Sequence, residues 1–477
     1  MASDGLSTYR RRRDPARTPE PVPASDAPAT SEGNSFVIQE HHATALHWDF
    51  RLERDGVLVS WAVPKGLPRD PKNNRLAVHT EDHPLEYASF EGHIPEGEYG
   101  GGNVTVWDHG TYECEKWNDR EVKVVLHGSR VSGRYVLFRT GDGDKDWMVH
   151  RVDPAPDGYV PMPSLVRPML ATARDTLPND DDAYAYEFKW DGVRAVTYVE
   201  GGRAHLLSRN DNDVTASYPE LRAMAESMGA IEAVLDGEIV ALDASGRPSF
   251  AALQKRMHVT APAQVRRLAQ QTPATYLVFD VLHLEGHSLL DEPYAERRKV
   301  LDALALTGPS WQTTPYFAGN GAAVLAASQQ QGLEGVVAKR LDARYLAGKR
   351  SDLWLKVKNV RTQSVVVGGW QAGEGRRAQT IGSLLVGIPS GDGLHYVGRV
   401  GSGLDEHELT DLAMRLSSLA IDTTPFVDET PRDAHWVQPV LVAEVTFGEW
   451  TPDDRLRHPV WRGLRTDLNP SEVERES

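Results

Sequence analysis

The run Glu187-Phe-Lys-Trp-Asp-Gly-Val-Arg194 sets a single lysine, Lys189, between two carboxylates, with a glycine and an arginine just downstream. Apolar flanks, Ala183-Tyr184-Ala185-Tyr186 before and Ala195-Val196 after, withdraw that lysine partly from water. An amine attacks only when neutral, so such a site must lower the lysine's pKa or take its proton. Burial does the first. Carboxylates alone act the other way, and a divalent cation or an arginine beside them reverses the sign. The chemistry on offer is covalent attack by an amine. The plainer alternative is a surface strand ending in an Asp-Gly turn.

Further stretches come in order along the chain. Ser208-Arg209-Asn210 ends a strand, where the planar fork of Arg209 could grip a phosphate. Leu235-Asp-Gly-Glu-Ile-Val240 puts Glu238 in an apolar strand, and Tyr276-Leu-Val-Phe-Asp-Val-Leu282 offers Phe279 as a stacking face. Glu334-Gly-Val-Val-Ala-Lys-Arg340 sets a carboxylate just before another strand. In Trp354-Leu-Lys-Val-Lys-Asn359, Lys356 and Lys358 alternate onto one face, which suits a triphosphate or a nucleic-acid backbone. Taken singly, each has an ordinary reading as a paired charge, a core aromatic or the wet face of a strand.

A second constellation lies near the N-terminus. In Gln39-Glu-His-His-Ala-Thr-Ala-Leu-His-Trp-Asp-Phe-Arg51, residues His47, Asp49 and Arg51 share one face of a strand, and a short turn can fold His41 back onto them. Two imidazoles and a carboxylate suit Mn, Zn or Fe-type ions. Arg75 and Glu81-Asp-His83-Pro add guanidinium and imidazole groups for a phosphate.

The elements that must carry these groups fall into three units. Residues 1–34, rich in Pro, Ala, Ser and Arg, read as a disordered or loosely draped basic arm. Residues 35–153 read as an all-β barrel: short β-branched runs (Ser35–Gln39, Val57–Val63, Val104–Trp107, Val122–Leu126, Arg134–Phe138) separated by Gly, Pro and Asp clusters. A proline-rich linker spans 154–166 and predicts independently folded neighbours. Residues 167–361 alternate strands with helices, including Tyr294–Ala305 and Ala322–Gln331, as an α+β domain. Residues 362–477 read as a small β domain with one helix near Glu406–Leu419.

The net charge of −16 argues against a surface coated in basic groups, yet residues 339–377 hold ten basic residues against three acidic ones. There is no apolar run long enough for a membrane span and no secretory leader, and a lone Cys114 suits a reducing cytoplasm.

Lys189 through Asn359, read together, resemble motifs I, Ia, III, IIIa, IV and V of ATP-dependent DNA ligases, RNA ligases and capping enzymes. Phe36–Asp108, with Ser60-Trp-Ala-Val-Pro-Lys-Gly66, Glu81-Asp-His-Pro-Leu-Glu-Tyr87 and Phe90-Glu-Gly-His-Ile-Pro-Glu-Gly-Glu-Tyr-Gly100, resembles the 3′-phosphoesterase domain of bacterial ligase D. The resemblance implies an all-β barrel, an ATP-grasp-like adenylyltransferase domain and a C-terminal OB-fold barrel, with no length left for a primase-polymerase domain. It implies ATP as nucleotide donor, with Glu187 among the nucleotide-binding residues and Lys189 as the adenylated nucleophile, assisted around the phosphates by Asp191 and Arg194. It further implies Arg209 on the 5′-phosphate, Glu238 on the ribose, Phe279 on adenine, Glu334 on Mg2+, and Lys356 and Lys358 on the α-phosphate. Arg465-Thr-Asp-Leu468 resembles motif VI but has leucine in place of its lysine, so only Arg465 and Asp467 carry over.

In the barrel it implies Mn2+ on His41, His47 and Asp49. Arg51, Arg75 and His83 would sit at the scissile phosphate, with Gln39, Lys65, Glu81 and Tyr87 around them and Arg13, Asp14 and Glu20 contributed by the arm. The implied partners are duplex DNA with nicks or breaks and a Ku-type end-binding protein, for a cytoplasmic, nucleoid-associated monomer acting in double-strand break repair by non-homologous end joining. Two other readings stand beside this one: an RNA ligase or capping-type nucleotidyltransferase, and a non-catalytic DNA-end scaffold.

Overall fold

The computed structural model describes all residues except 1–4, 24–32, 142, 144, 243–247, 360, 374–379, 392, 432, 449 and 477. The first unit is built of β1 (Ser35–His42), β2 (Leu46–Arg54), β3 (Val57–Val63), β4 (Arg75–His79), β5 (Gly92–Ile94), β6 (Gly102–Asn118), β7 (Glu121–Gly128), β8 (Ser132–Arg139) and β9 (Asp146–Arg151). The order is β1-β2-β3-β4-β9-β8-β7-β6-β5, and pairing of β1 with β6 closes eight of them into a barrel, with β5 added outside it on β6. Period-two alternation sends the side chains of β2 to opposite faces, and both faces are buried. Trp48, Phe50 and Leu52 fill the interior, while Asp49, Arg51 and Glu53 point outward and are buried all the same.

Part of what buries them is the arm. Residues 5–23 are not draped loosely: the short helix Ser7–Arg11 packs Leu6 and Tyr9 against Leu58 and Tyr87, and Tyr9 Oη donates to Pro21 O at 2.8 Å. The Arg-rich composition misled here because Arg13 is itself buried, with its charge met by Glu20 and Glu81. Residues 1–4 and 24–32 of the arm lie outside the described residues.

The central unit is two sheets. One orders Leu170–Ala173, Arg350–Lys358, Gly335–Arg340, Tyr184–Lys189 and Phe317–Ala318; the other is built on Arg203–Ser208, Val193–Glu200, Ala233–Ala241 and Ala274–Leu284. Helices Arg222–Met228, Phe250–Gln254, Pro262–Gln271, Tyr294–Ala303 and Gly321–Gln330 cover them. The last unit is an OB-type sheet of six strands around Thr362–Ala372 and His435–Thr446. Its helix Glu406–Ser418 starts at a capping box: Asp405 accepts from Glu408 N at 2.7 Å and Glu408 accepts from Asp405 N at 3.1 Å.

The proline-rich segment is packed rather than free. Val160 N donates to Gly286 O at 2.6 Å, and Val166 N donates to Tyr198 Oη at 2.6 Å. Barrel and central unit also touch directly, as Arg69 pairs with Glu285 at 2.5 Å and Glu200 with both Lys65 and Arg75. Gly202 permits this approach: its φ is +67° and a Cβ there would lie 2.4 Å from Leu46 Cδ2. Among the described residues, no helix is long and apolar enough to cross a membrane.

One buried ion pair fastens the central unit. Arg297 is fully buried, meets both oxygens of Asp280 at 2.8 and 2.9 Å, and donates to the carbonyls of Glu292 and Ala343. Arg297→Met leaves Asp280 charged and unpaired, and should destabilise the central unit by about 3–5 kcal/mol. The measurement is the urea midpoint of its unfolding transition. A loss under about 1 kcal/mol, the scale of an exposed pair, would show that this pair is not the fastening.

Candidate functional site

The outer face of the barrel gathers the first group. β1 and β2 pair antiparallel with His41 opposite His47 and Gln39 opposite Asp49, so these side chains and that of Arg51 share a face. The candidate ligand atoms of His41, His47 and Asp49 lie within 4.8 Å of one another. Each imidazole has its far nitrogen tied to a backbone carbonyl: His41 Nε2 to Gly100 O at 2.8 Å, His47 Nδ1 to Ala45 O at 3.0 Å. That leaves His41 Nδ1 and His47 Nε2 facing Asp49, at 3.4 and 3.6 Å. Outer hydrogen bonds of this kind fix the tautomer of a metal-binding histidine, and the donor set fits a divalent transition ion.

Arg51 anchors the group, donating to Asp49 at 2.9 Å, Gln39 at 2.8 Å and Ser60 at 2.9 Å. Burial opposes ionisation of Asp49, but the charge of Arg51, with the imidazoles of His41 and His47 beside it, holds its carboxyl well below the usual range. His83 lies beside Arg13 Nη2 at 3.3 Å and Ser60 Oγ at 3.4 Å. Burial, then Arg51 and Arg13, push its pKa well down, so its imidazole is neutral at neutral pH. Arg13 and Glu20 from the arm join at this point, Arg13 Nε donating to Glu20 at 2.8 Å and Tyr87 Oη to Glu20 at 3.1 Å.

Arg75 is not brought to this group. Trp61 pairs with His79 across β3 and β4, so Arg75 faces the interior side with Trp61, opposite Ser60 and Arg51. Its guanidinium meets Glu200 at 2.8 Å and the carbonyl of Lys65. Lys65 also binds Glu200, at 2.7 Å. Asp14 turns back on the arm and accepts from Ala16 N.

The second group lines one cleft of about 740 Å3 between the central and OB-type units: Glu187, Lys189, Asp191, Arg194, Arg209 and Glu238, with Phe279, Glu334, Lys356, Lys358 and Arg465. Register does the gathering. Glu187 lies opposite Val337, Lys189 opposite Gly335, and Lys358, Lys356 and Trp354 opposite Gly335, Val337 and Lys339. One sheet face therefore carries Glu187, Lys189, Lys339, Lys356 and Lys358. Gly192, next to Asp191, packs so closely that a Cβ would lie 2.2 Å from Ile239 O.

Lys189 Nζ donates to Glu334 Oε2, and Lys358 Nζ lies 3.4 Å from Glu334 Oε1. Burial works against Glu334, yet Lys189 and Lys358 hold its carboxyl down to about 2. Asp191 goes the other way, pushed up to about 6 by burial and the negative charges of Glu334 and Glu444. Burial likewise lifts Glu238 to about 8. Arg194 is committed to Asp236, with two bonds of 2.6 Å, and its guanidinium lies 4.6 Å from the Phe279 ring centre. Arg465 pairs with Asp467 at 2.7 Å and Glu444 at 3.2 Å.

Residues 39–139 match the DNA ligase D 3′-phosphoesterase domain, 168–358 the ATP dependent DNA ligase domain, and 377–468 the ATP dependent DNA ligase C terminal region. A solved structure titled mycobacterial DNA ligase D complexed with ATP and MES is 44% identical, with a TM-score of 0.50, over 65% of this chain and 98% of that one. The chain belongs to the DNA ligase D family. The multifunctional non-homologous end joining DNA repair protein LigD of Mycobacterium tuberculosis H37Rv is 50% identical over 99% of this chain, which spans 61% of that relative's length. DNA ligase C1 of Mycolicibacterium smegmatis is 34% identical over 65% of this chain and 93% of its own.

Sequence reasoning left Lys339, Asp236, Tyr294 and Glu476 of this ligase D chain unassigned. Lys339 Nζ binds Glu187 at 2.7 Å inside a cage of Phe279, Trp354 and Tyr294, whose hydroxyl also donates to Glu187. Its signal was a lysine at the end of the apolar run Val336-Val337-Ala338, in register with Glu187's face.

Leu468, where motif VI usually has lysine, lines the cleft and packs on the OB-type core. Leu468→Lys should lower the ATP concentration needed for adenylation several-fold, by about 1 kcal/mol, without changing the sealing rate of pre-adenylated nicks. No change in either would point to Arg462, which lies 4.0 Å from Asp191, as the cation already serving there.

Proposed function

We propose that this chain is an ATP-dependent DNA ligase that seals 5′-phosphate and 3′-hydroxyl ends through a lysyl-AMP on Lys189, and that its barrel heals 3′ ends first. The observation that carries the reading is the single sheet face that sets Lys189, Lys356 and Lys358 together in the cleft, with Glu334 reaching Lys189 and Lys358 from just before the strand. We take residues 35–153, 167–361 and 362–477 as the functional units, with 154–166 joining the first two.

In the first step Lys189 Nζ, having released its proton to solvent, attacks the α-phosphorus of ATP. An N–P bond forms, the α–β phosphoanhydride breaks, and pyrophosphate leaves. Phe279 would stack on the adenine, Glu238 would accept from the ribose, and Lys356 and Lys358 would offset charge on the α-phosphate. Arg209 would then hold the 5′-phosphate of the nick, whose oxygen takes the adenylate from Lys189. The 3′-hydroxyl finally attacks that 5′-phosphorus and releases AMP. Magnesium suits Glu334 with Asp191 beside it: burial first, then the negative charges of Glu334 and Glu444, lift Asp191 to about 6, and a cation that prefers oxygen donors and neutralises phosphate charge would relieve that repulsion.

In the barrel, His41, His47 and Asp49 would hold manganese, which would polarise a phosphate ester. Arg51 positions Asp49, while the neutral imidazole of His83 and the cation of Arg13 face the same groove. The substrate is duplex DNA with nicks or breaks. The relative's name supports work in end joining, where a Ku-type protein would present the ends to a cytoplasmic, nucleoid-associated monomer.

Incubation with ATP and magnesium should add the mass of one AMP to the wild type. Lys189→Ala should take up none while keeping its fold, and Lys189→Arg should also fail because a guanidinium stays protonated. His47→Ala and Asp49→Ala should each lose removal of a 3′-ribonucleotide or 3′-phosphate but still seal a clean nick, and Lys189→Ala should do the converse. Labelling of either Lys189 variant would remove the ligase reading. Full trimming by folded His47→Ala would remove the end-healing one.

A further inference from the structure

Lys356 and Lys358 open into the cleft from one face of Arg350–Lys358, and a single carboxylate bridges them. Glu476 Oε1 lies 3.0 Å from Lys356 Nζ, and its Oε2 lies 2.8 Å from Lys358 Nζ. That carboxylate belongs to a segment built onto the OB-type unit. Val473 is buried in that unit's core, Glu476 N donates to Gln363 Oε1 at 2.8 Å, and Trp450 Nε1 donates to Glu476 O at 3.1 Å. Gln363 Nε2 returns a bond of 2.9 Å to Glu474 O. Arg475 faces the other way, lying over Trp450 and pairing with Asp454. Three backbone anchors therefore aim one side chain across the cleft at two lysines of the neighbouring unit.

Two oxygens sharing one negative charge, each met by an ammonium, reproduce what two oxygens of a phosphate ask of the same lysines. A phosphate arriving beside that carboxylate would set like charges together where the side chains are mostly buried and screening is weak. The two anions therefore exclude one another.

We propose that Glu476 is an internal competitor for the nucleotide phosphate: it clasps Lys356 and Lys358, ties the OB-type unit to the adenylation domain, and is displaced when ATP takes the lysines. This rests on the ligase reading of the cleft. Burial disfavours the charge on Glu476, but Lys358 and Lys356 outweigh it and hold the carboxyl down to about 2. The carboxylate is thus charged throughout the neutral range, while burial lowers its partner Lys356 to about 8, and what displaces the carboxylate is a competing anion rather than its own protonation.

The test uses the full chain, with Glu476→Gln to remove the charge at constant shape and Glu476→Asp to keep the charge on a stem too short to bridge both lysines. Binding of α,β-methylene ATP is measured by calorimetry, and the ATP dependence of lysyl-AMP formation by mass. Both variants should bind the analogue about five-fold more tightly, a change of about 1 kcal/mol, and reach half-maximal adenylation at correspondingly lower ATP. Unchanged ATP dependence in folded variants overturns the competitor role, and weaker binding shows instead that Glu476 positions the lysines for ATP. A wild type that takes up no AMP at all would remove the ligase reading itself, an outcome separate from either.

Discussion

Four ammonium groups on one sheet face are the constraint the cleft is built around. Lys189, Lys339, Lys356 and Lys358 are brought there by the antiparallel register of three strands, and a slip of one residue in any strand would turn its share to the opposite face. Desolvating such charges costs several kcal/mol each unless partners are fixed in place. Carboxylates interleave to meet them: Glu187 at Lys339, Glu334 at Lys189 and Lys358, and Glu476 at Lys356 and Lys358. Lys339 needs the most support, being fully desolvated, and receives aromatic faces at 4.3, 4.4 and 5.0 Å as well. The arrangement holds Glu187 rigid at the rim of the Phe279 face and leaves the remaining lysines against partners that a phosphate could replace.

The barrel solves the same problem with fewer groups. Asp49 is the buried anion that faces Arg51 and two imidazoles, and Arg51 in turn is held by Gln39 and Ser60. Gln39 is itself fixed by donating to Tyr87 O at 3.0 Å and Phe90 O at 2.9 Å. A chain of bonds thus runs from the end of the short helix Leu85–Ser89 through Gln39 and Arg51 to the carboxylate, so each of these side chains has its rotamer set by the next. The arm closes the circuit from outside, since Arg13 reaches His83 and Glu81 while Glu20 meets Tyr87.

Local periodicity decided how much of this was legible in the sequence. Alternation in Leu46–Arg54 and Arg350–Lys358 placed His47, Asp49 and Arg51, and Lys356 with Lys358, on common faces, because period two is a local property of the strand. The three-unit fold class was readable for the same reason, from β-rich runs at either end and alternating strands and helices between. Partners far apart in the chain were not readable. Nothing local joins Glu476 to Lys356, 120 residues away, or Glu200 to Arg75, 125 residues away. Arg75 shows the limit of motif reasoning: its strand puts it on the interior side, where the adenylation domain supplies its carboxylate. Residues 5–23 show the limit of composition, since an Arg-rich arm packs once its charges find Glu20 and Glu81.

The net charge of −16 sets a final condition on how such a chain handles a polyanion. Mean charge governs the far field, which salt screens over about 8 Å at physiological ionic strength. Inside the cleft the relevant charges are nearer than that, and they are local: lysines on a shared face, Arg209 desolvated by burial, Arg465 tied to Glu444 and Asp467. Their carboxylate partners make the cleft nearly neutral to a distant phosphate and cationic only to one that enters and takes a partner's place. An acidic exterior with exchangeable internal anions therefore gives little attraction at range and selective attraction at contact. That is the balance the proposed reaction requires of the cleft, which must hold a nucleotide, pass its adenylate to a DNA 5′-phosphate, and let the AMP go.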